Sequence, residues 1–238
     1  VAGTSLTVDI LGSHTLEFWS VDAVGNEELP HNSLEFAVNA GSFTPVPVEG
    51  DDRYETAIET SKLAFADDTA DCVVIATGKN WPDALGGAAL AAAKNGPILL
   101  TDGDALTQDI IDEIDRLGAN EAVILGGYTS VSLDIENTLV TKMGRSAVDR
   151  LKGDDRYATA EAIAEETIAE LEAGEGFDGT AFVATGGNFP DALAASPLAA
   201  AKGWPIFLCS PTGNPPTTLM TDLGVTDVLI LGGINTVT

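Results

Sequence analysis

An arginine followed by a tyrosine, preceded by two aspartates, occurs twice in the chain and is the first candidate for ligand chemistry. The residues concerned are Arg53, Tyr54, Arg156 and Tyr157. A guanidinium group presents a planar fork of donors that matches a carboxylate or a phosphate, so each arginine is a candidate contact for an anionic ligand. The alternative is an internal salt bridge to Asp83 or Asp191, because the adjacent acidic residues would repel an anion. Both interpretations stay open at this level.

A polar segment of the form Thr-Gly-x-Asn-x-Pro-Asp also occurs twice, each time after a short apolar run. Its candidate ligand-binding residues are Thr77, Gly78, Asn80, Asp83, Thr185, Gly186, Asn188 and Asp191. Ligands of open α/β sheets bind at the carboxyl ends of the strands, and the free N–H groups at a helix start favour an anion. The competing interpretation is that Asn80 or Asp83 only caps its own helix.

Five of the eleven basic residues lie within fifteen positions of one another, between Lys142 and Arg156. This cluster includes Arg150 and Lys152, and it predicts a local patch that attracts an anionic polymer. Charge compensation for neighbouring Asp and Glu residues explains the cluster equally well. A third interpretation is that a divalent cation bridges the carboxylates of the protein to the polymer.

The composition excludes several classes of protein. With 37 acidic and 11 basic side chains, the 238-residue chain has a formal net charge of −26, whereas nucleic-acid binding draws on a basic surface. No apolar run reaches the ~18 residues of a membrane-spanning helix. Two histidines and two cysteines are too few for a histidine-based metal cluster or a disulfide framework. Motifs of nucleophilic or nucleotide-dependent enzymes are also lacking, so we predict no catalytic residue, metal or cofactor.

Most of the chain is a tandem repeat. The matching pairs are Gly50–Ala57 with Gly153–Ala160, Ala76–Leu85 with Ala184–Leu193, Leu90–Lys94 with Leu198–Lys202, and Ile124–Gly127 with Ile230–Gly233. Because the order of the pairs is kept, the chain contains a duplicated unit of about a hundred residues. We assign the first repeat to residues 45–145 and the second to residues 146–238.

Within a repeat, apolar runs of strand length alternate with helix-favouring segments. The predicted strands of the first repeat are 72–76, 98–100, 122–125 and 147–151, and the predicted helices are 56–66, 84–94, 107–117 and 132–142. Continuous apolar strands between helices are typical of a parallel sheet covered on both faces. The predicted fold class is therefore α/β, with two parallel-sheet repeats in tandem.

Residues 1–44 follow another pattern, with no Lys or Arg. The segments 6–8, 15–21 and 33–38 are predicted strands, separated by turn signals at Gly25-Asn26 and Pro30. We interpret this region as part of an immunoglobulin-like β segment, similar to the modules of bacterial surface proteins.

The ordered motifs of the repeat closely resemble the cell-wall-binding repeat type 2 family. These motifs are Gly-Asp-Asp-Arg-Tyr, Ala-Thr-Gly-x-Asn-aromatic-Pro-Asp-Ala-Leu, Leu-Ala-Ala-Ala-Lys and Ile-Leu-Gly-Gly, and the resemblance extends from about residue 46 to the end. It implies Toprim-like or Rossmann-like units, three of which usually pack around a pseudo-threefold axis. It also implies non-covalent attachment of exported proteins to anionic polymers of Gram-positive cell walls.

The chain departs from the family pattern in the number of repeats and in one motif. It contains two repeats, and the second ends at Thr238, which aligns with Ser132 of the first. Pro47 stands where the second repeat has Arg150. Self-association or a third repeat would complete the pseudo-threefold arrangement.

The expected function is that of a non-catalytic module that anchors a secreted protein to an anionic polysaccharide of the cell wall. Nucleic acid and membrane are not expected partners. The alternative is a protein–protein assembly module of the cell surface that makes no contact with polymer. A glycan-processing enzyme is a third interpretation, since carboxylate pairs arise by chance in a chain with 37 acidic residues.

Overall fold

The computed structural model describes residues 10, 12–18, 25, 27, 29–38, 46–174, 176–210 and 213–233. The chain forms two compact units, Val1–Pro47 and Val48–Thr238. Both tandem repeats belong to the second unit, apart from the first few residues assigned to the first repeat.

The first unit contains a two-stranded antiparallel hairpin. Strand β1 (Gly12–Phe18) pairs with strand β2 (Asn32–Val38), and Leu16 lies opposite Leu34. These strands overlap the predicted segments 15–21 and 33–38, whereas the predicted segment 6–8 lies outside the described residues. The immunoglobulin-like assignment of this region stays a prediction.

The first repeat, together with residues 146–151 at the start of the second, builds a four-stranded parallel sheet between helices. Its elements are α1 (Arg53–Ala64), β3 (Cys72–Thr77), α2 (Pro82–Leu85), α3 (Gly87–Ala93), β4 (Ile98–Thr101), α4 (Gln108–Leu117), β5 (Glu121–Leu125), α5 (Leu133–Met143), a short 3₁₀ turn (Arg145–Ala147) and β6 (Val148–Leu151). The strand order is β4-β3-β5-β6, and every neighbouring pair is parallel. Strand β3 is buried along its whole length, as expected where helices cover both faces.

The second repeat follows the same plan with three described strands. Its elements are α6 (Arg156–Ala173), β7 (Thr180–Thr185), α7 (Pro190–Lys202), β8 (Ile206–Cys209), α8 (Thr217–Asp222) and β9 (Asp227–Ile230). The strand order is β8-β7-β9, again parallel. The predicted α/β fold class is confirmed. Within the described ranges, no helix is long and apolar enough to cross a membrane.

Helix α1 begins three residues earlier than the apolar pattern predicts, because Asp52 caps it. The Asp52 carboxylate accepts hydrogen bonds from two backbone N–H groups of the first turn, one of them from Tyr54 at 2.7 Å. Asp155 caps α6 in the same way, accepting from Tyr157 at 2.9 Å. A side-chain acceptor at this position satisfies N–H groups that have no partner inside the helix. The two Asp-Asp-Arg-Tyr segments are therefore helix starts.

The predicted helix 84–94 is divided in the first repeat and continuous in the second. A turn at Gly86 separates α2 from α3, whereas Ala194 occupies the equivalent position within α7. Glycine disfavours a helix interior, and Ile163 of the second repeat packs 3.5 Å from where a Cβ on Gly86 would lie. The difference from the prediction thus arises where one repeat packs on the other.

The two repeats share a hydrophobic core and an ion cluster. Ile163 of α6 belongs to the cluster built on strand β3, and Leu85 of α2 belongs to the cluster built on strand β7. Beside this core, the Lys94 ammonium lies 2.9 Å from Glu166 and 2.7 Å from Glu170. The two tandem repeats therefore pack together as one unit and are not two independent domains.

Candidate functional site

The arginines of the two Asp-Asp-Arg-Tyr segments lie against the loops that follow β3 and β7. Arg53 Nη1 donates to the carbonyl of Gly78 at 2.6 Å, and Arg156 Nη1 donates to the carbonyl of Gly186 at 2.8 Å. In the described part of the chain, neither guanidinium has a carboxylate within 4.0 Å. The salt bridge to a motif aspartate, considered above as an alternative, is therefore replaced by a hydrogen bond to a carbonyl.

Tyr54 and Tyr157 cover the same loops. A Cβ atom built on Gly78 would lie 2.6 Å from Tyr54 Cε1, and one built on Gly186 would come still closer to Tyr157. Since real Cβ atoms do not approach other atoms so closely, a larger residue at either glycine would displace the tyrosine ring above it. The structure thus brings the Arg, Tyr and Gly predicted for each repeat into one cluster.

The threonine and asparagine of each loop hold its turn. Thr77 Oγ1 accepts the N–H two residues further on at 3.2 Å, and Asn80 Oδ1 accepts the next residue's N–H at 3.1 Å. Thr185 and Asn188 make the matching bonds at 3.2 and 2.9 Å. The two threonines are buried, whereas the two asparagines are exposed. The asparagines are therefore accessible to a ligand. The buried threonines hold the backbone of the loop in place.

Asp83 lies against the turn that follows β5 in its own repeat. Its carboxylate lies directly against Gly126, whose φ of +99° favours glycine, in the turn after β5. Burial raises the pKa of Asp83, although a hydrogen bond with Ser130 and the charge of Arg156 act to lower it. The equivalent Asp191 is part-buried at the start of α7.

Arg150 forms its bonds inside the protein. Its side chain is 5% exposed, and Nε donates to Glu136 Oε2 at 2.7 Å. Its terminal nitrogens donate to the carbonyls of Gly126, Val131 and Ser132 at 2.8 to 3.2 Å. Burial acts to raise the pKa of Glu136, but hydrogen bonds from two arginines outweigh it and the pKa is lowered. Arg150 therefore positions the loop after β5, and its direct contact with a ligand stays a prediction.

Most of the positive charge is neutralised by neighbouring carboxylates. Seven of the eleven Lys and Arg side chains have a carboxylate oxygen within 4.0 Å. The cations without one, among the residues that the structure describes, are Arg53, Lys152, Arg156 and Lys202. Three of the five cations in the cluster 142–156 are paired, in agreement with charge compensation. The unpaired charge of that cluster lies on Lys152 and Arg156, at the start of the second repeat.

Aromatic side chains accompany these unpaired cations, a feature that the sequence analysis missed. Arg156 Cζ lies 5.2 Å from the centroid of the Trp81 ring in the first repeat. Lys152 Nζ lies 4.6 Å from that of the Tyr128 ring. Trp81 in turn lies 5.7 Å from Phe189. The aromatic position in the repeated Asn-aromatic-Pro-Asp motif was the available signal, but it does not show which repeats meet there.

Two of the cavities where the repeats meet border the loop that follows β3. The larger, which we call the apolar groove, has a volume of about 560 Å³ and is lined by Trp81, Leu85, Ala88, Phe189, Leu193 and Ser196 among others. The smaller, which we call the junction pocket, has a volume of about 200 Å³ and is lined by polar groups that include Asn80, Asp83, Ser130, Asp154, Arg156 and Thr159. Both repeats contribute to each cavity, so neither cavity would exist in a single repeat.

Residues 48–136 and 150–238 match the model of cell wall binding domain 2 (CWB2). The chain belongs to the CWB2 family. The two matched segments correspond to the two tandem repeats, so the family resemblance inferred from the motifs is confirmed. Membership of the CWB2 family makes the pair of repeats a cell-wall-binding module.

The CWB2 pair is similar to parts of two longer curated proteins of Bacillus subtilis (strain 168). It is 30% identical over 192 residues to N-acetylmuramoyl-L-alanine amidase LytC, a match that covers 80% of this chain and 36% of that protein. It is 36% identical over 159 residues to the amidase enhancer, covering 67% of this chain and 21% of that protein. The chain thus spans a minor part of either relative.

Two solved structures share the fold. Cwp8 from Clostridium difficile matches with a TM-score of 0.71 and 29% identity over 97% of this chain and 40% of that one. Cwp6 from the same organism matches with a TM-score of 0.69 and 22% identity over 98% of this chain and 40% of that one, a likeness of fold alone. The CWB2 repeats therefore have the architecture of known structures.

Proposed function

We propose that this CWB2 pair anchors a secreted protein non-covalently to an anionic polymer of a Gram-positive cell wall, outside the cell, without catalysing a reaction. One observation carries the proposal: the unpaired cations Lys152 and Arg156 lie beside aromatic rings where the repeats meet. Guanidinium and ammonium groups bind phosphate or carboxylate, and flat aromatic rings offer apolar surface to the face of a sugar. This combination suits a charged glycan.

We divide the predicted ligand-binding residues into those that contact the ligand and those that hold the loops in place. We assign direct contact to Lys152 and Arg156, which are unpaired, and to the exposed Asn80. Thr77 and Arg150 are buried and hydrogen-bonded within the protein, so we assign them to holding the loops in place. Each repeat would add a weak contact, and the contacts gain strength from their fixed spacing along one polymer chain.

The test of this function is sedimentation of the protein with isolated Gram-positive cell walls, before and after extraction of the secondary wall polymers. Lys152→Gln and Lys202→Gln form a matched pair, because both remove an unpaired cation and, of these two described side chains, only Lys152 lies over an aromatic ring. We expect Lys152→Gln to weaken binding roughly tenfold and Lys202→Gln to leave it nearly unchanged. Failure of the unaltered protein to bind walls, or equal losses in the two variants, would contradict the proposal.

The apolar groove favours a second candidate function, assembly with another protein module. Equivalent residues line its two sides, Trp81 with Phe189 and Leu85 with Leu193. Arg156 lies over Trp81, but the described side chains show no matching contact of Arg53 with Phe189. This contact is therefore head-to-tail, and such contacts close into rings or continue as filaments.

We propose that a third repeat of the same kind occupies the groove, whether from the same protein or from another chain. Phe189 is 41% exposed and Leu193 is 53% exposed, so such a repeat would bury apolar surface. Sedimentation velocity over a wide range of concentration tests for self-association through this surface. Association that Leu193→Asp abolishes, without loss of wall binding, would support the assembly function.

A further inference from the structure

The outer edge of strand β9 is open. The order of the second sheet is β8-β7-β9, and among the described strands none pairs with the other side of β9. All four residues of β9 are exposed, with Ile230 61% exposed. In the first repeat, the equivalent strand β5 is buried over four of its five residues, and β6 pairs with its outer edge. An open strand edge presents N–H and C=O groups to which another strand can bond.

Strand β6, which closes the edge of β5, is formed by residues at the start of the second repeat. It runs parallel to β5, with Arg150 opposite Ile124 and Leu151 opposite Leu125. The interface between the two repeats thus includes a strand that the following repeat contributes to the sheet of the preceding one. The edge of β9 continues this interface one repeat further along, so the start of another repeat is the segment that fits it.

Residues 46–49 are the equivalent segment at the start of the first repeat. They precede Gly50 as Asp149–Lys152 precede Gly153. The segment lies in no helix or strand of the described chain, and Val46 is 80% exposed. Its first three residues carry no charge, so they can approach β9 of another molecule without bringing two acidic groups together. One chain therefore carries both an open strand edge and an exposed segment that suits it.

Pro47 is compatible with this pairing. The N–H of Gly126 donates to the carbonyl of Leu151 at 2.8 Å, so the backbone groups of Leu151 face β5. Because the N–H groups of successive strand residues point in opposite directions, the N–H of Arg150 points away from β5. Pro47 occupies the equivalent position, where the pairing does not need the N–H that proline lacks. Proline is tolerated at such positions of edge strands, and the residues on either side of Pro47 keep the N–H groups that would face β9.

We propose that the edge of β9 binds residues 46–49 of a second copy of this chain as a parallel strand, which joins the copies head to tail. The register of β5 with β6 places Val46 opposite Leu229 and Pro47 opposite Ile230. Proline lacks the side-chain donors of the arginine in β6, so we expect the contact between copies to be weaker than the one within the chain. This contact adds a second surface to the assembly function proposed above and does not depend on wall binding.

Disulfide cross-linking between variants that each carry one added cysteine tests the contact and its register. Pro47→Cys is mixed with Ile230→Cys in one sample and with Val228→Cys in the other, at about 0.15 M sodium chloride to screen the repulsion between acidic molecules. Both positions of β9 are exposed and lie on the same face of the sheet. The native cysteines, Cys72 and Cys209, are buried.

The two mixtures differ only in register. Adjacent strands lie ~4.8 Å apart, which places the first pair of cysteines within the ~4.4–6.8 Å that a disulfide allows between Cα atoms. The second pair is two residues out of register and therefore about 8 Å apart. We expect the first mixture to give at least about fivefold more covalent dimer than the second.

A further variant tests the backbone pairing itself. Val48→Pro, added to the Pro47→Cys chain, removes an N–H that faces β9 in the proposed register and should reduce the yield to that of the Val228→Cys mixture. Equal yields from the two original mixtures, or no covalent dimer from Pro47→Cys with Ile230→Cys, would overturn the strand contact. Self-association that Leu193→Asp abolishes, in the absence of this cross-link, would keep assembly through the apolar groove and exclude assembly through β9.

Discussion

Two arginines of the second repeat show how neighbours decide what a side chain can do. Arg150 and Arg156 are six positions apart, and their residue type alone makes them equal candidates for a polymer contact. In the structure Arg150 bonds to Glu136 and three carbonyls, whereas Arg156 bonds to one carbonyl and lies over Trp81. The sequence could not separate them, because their partners come from distant segments of the chain. Buried charges require such partners, and exposed charges do not.

The Glu136–Arg150 pair predicts a defined pH dependence of stability. The pKa of Glu136 is lowered from its ordinary 4.5, so the stabilisation by its carboxylate is fully present above pH ~4.5 and is lost as the pH falls through the folded-state value. Glu136→Gln should lower the free energy of unfolding by about 3 kcal/mol at neutral pH, because Arg150 stays buried without its ionic partner. The difference from the unaltered protein should shrink towards pH ~3.

Urea unfolding at a series of pH values measures this difference. Glu172→Gln is the control, since Glu172 is exposed and forms no ion pair in the described structure. A Glu136→Gln penalty that stayed constant down to pH ~3 would show that the carboxylate is not the titrating group.

At the scale of elements, the strands were predictable and the helix contacts were not. The runs Cys72–Ala76 and Ala122–Leu125 are continuously apolar, a pattern that a strand buried on both faces imposes on any sequence. Ile163 packs beside the break at Gly86 from the other repeat, a contact that the sequence of one element does not show. The same limit applied to Trp81 and Arg156, whose contact appears only when the repeats are placed together. The hydrophobic periodicity of a sequence predicts single helices and strands. The candidate binding site lies between elements of different repeats, so periodicity does not reveal it.

The lysines at the ends of α3 and α7, Lys94 and Lys202, form a matched pair, because they are equivalent in the two repeats and only Lys94 contacts carboxylates of α6. Lys94 is 9% exposed and bonds to Glu166 and Glu170, and these carboxylates raise its pKa although burial opposes the charged form. Its repeat equivalent Lys202 is exposed and unpaired. Lys94→Met should lower the free energy of unfolding by about 1–3 kcal/mol, because it removes two charge-assisted hydrogen bonds. Lys202→Met should change it by less than about 0.5 kcal/mol.

Guanidinium chloride unfolding of the two variants measures this difference. Equal stabilities of Lys94→Met and the unaltered protein would mean that the cluster is only a surface ion pair. A loss confined to an early transition would mean that the repeats unfold separately, contrary to their shared core.

At the scale of the whole molecule, the net charge and the proposed ligand have the same sign. A chain of charge −26 repels a polyanion at long range, and the unpaired cations act only near the junction. A binder with a basic surface would release counterions and lose affinity steadily as salt is added. In this protein the long-range electrostatic repulsion opposes binding to the polymer, so the first additions of salt should strengthen that binding.

Wall binding should therefore strengthen as sodium chloride rises from about 0.01 to 0.1 M, where the Debye length falls from about 30 to 10 Å. The local contacts of Lys152 and Arg156 act over less than this distance and should survive the change. Calcium chloride at matched ionic strength tests the alternative of a bridging cation, which would raise binding well above the sodium value. A steady decline from the lowest salt concentration would contradict this account. It would mean that the junction cations govern the long-range field as well as the contact, despite the acidic residues around them.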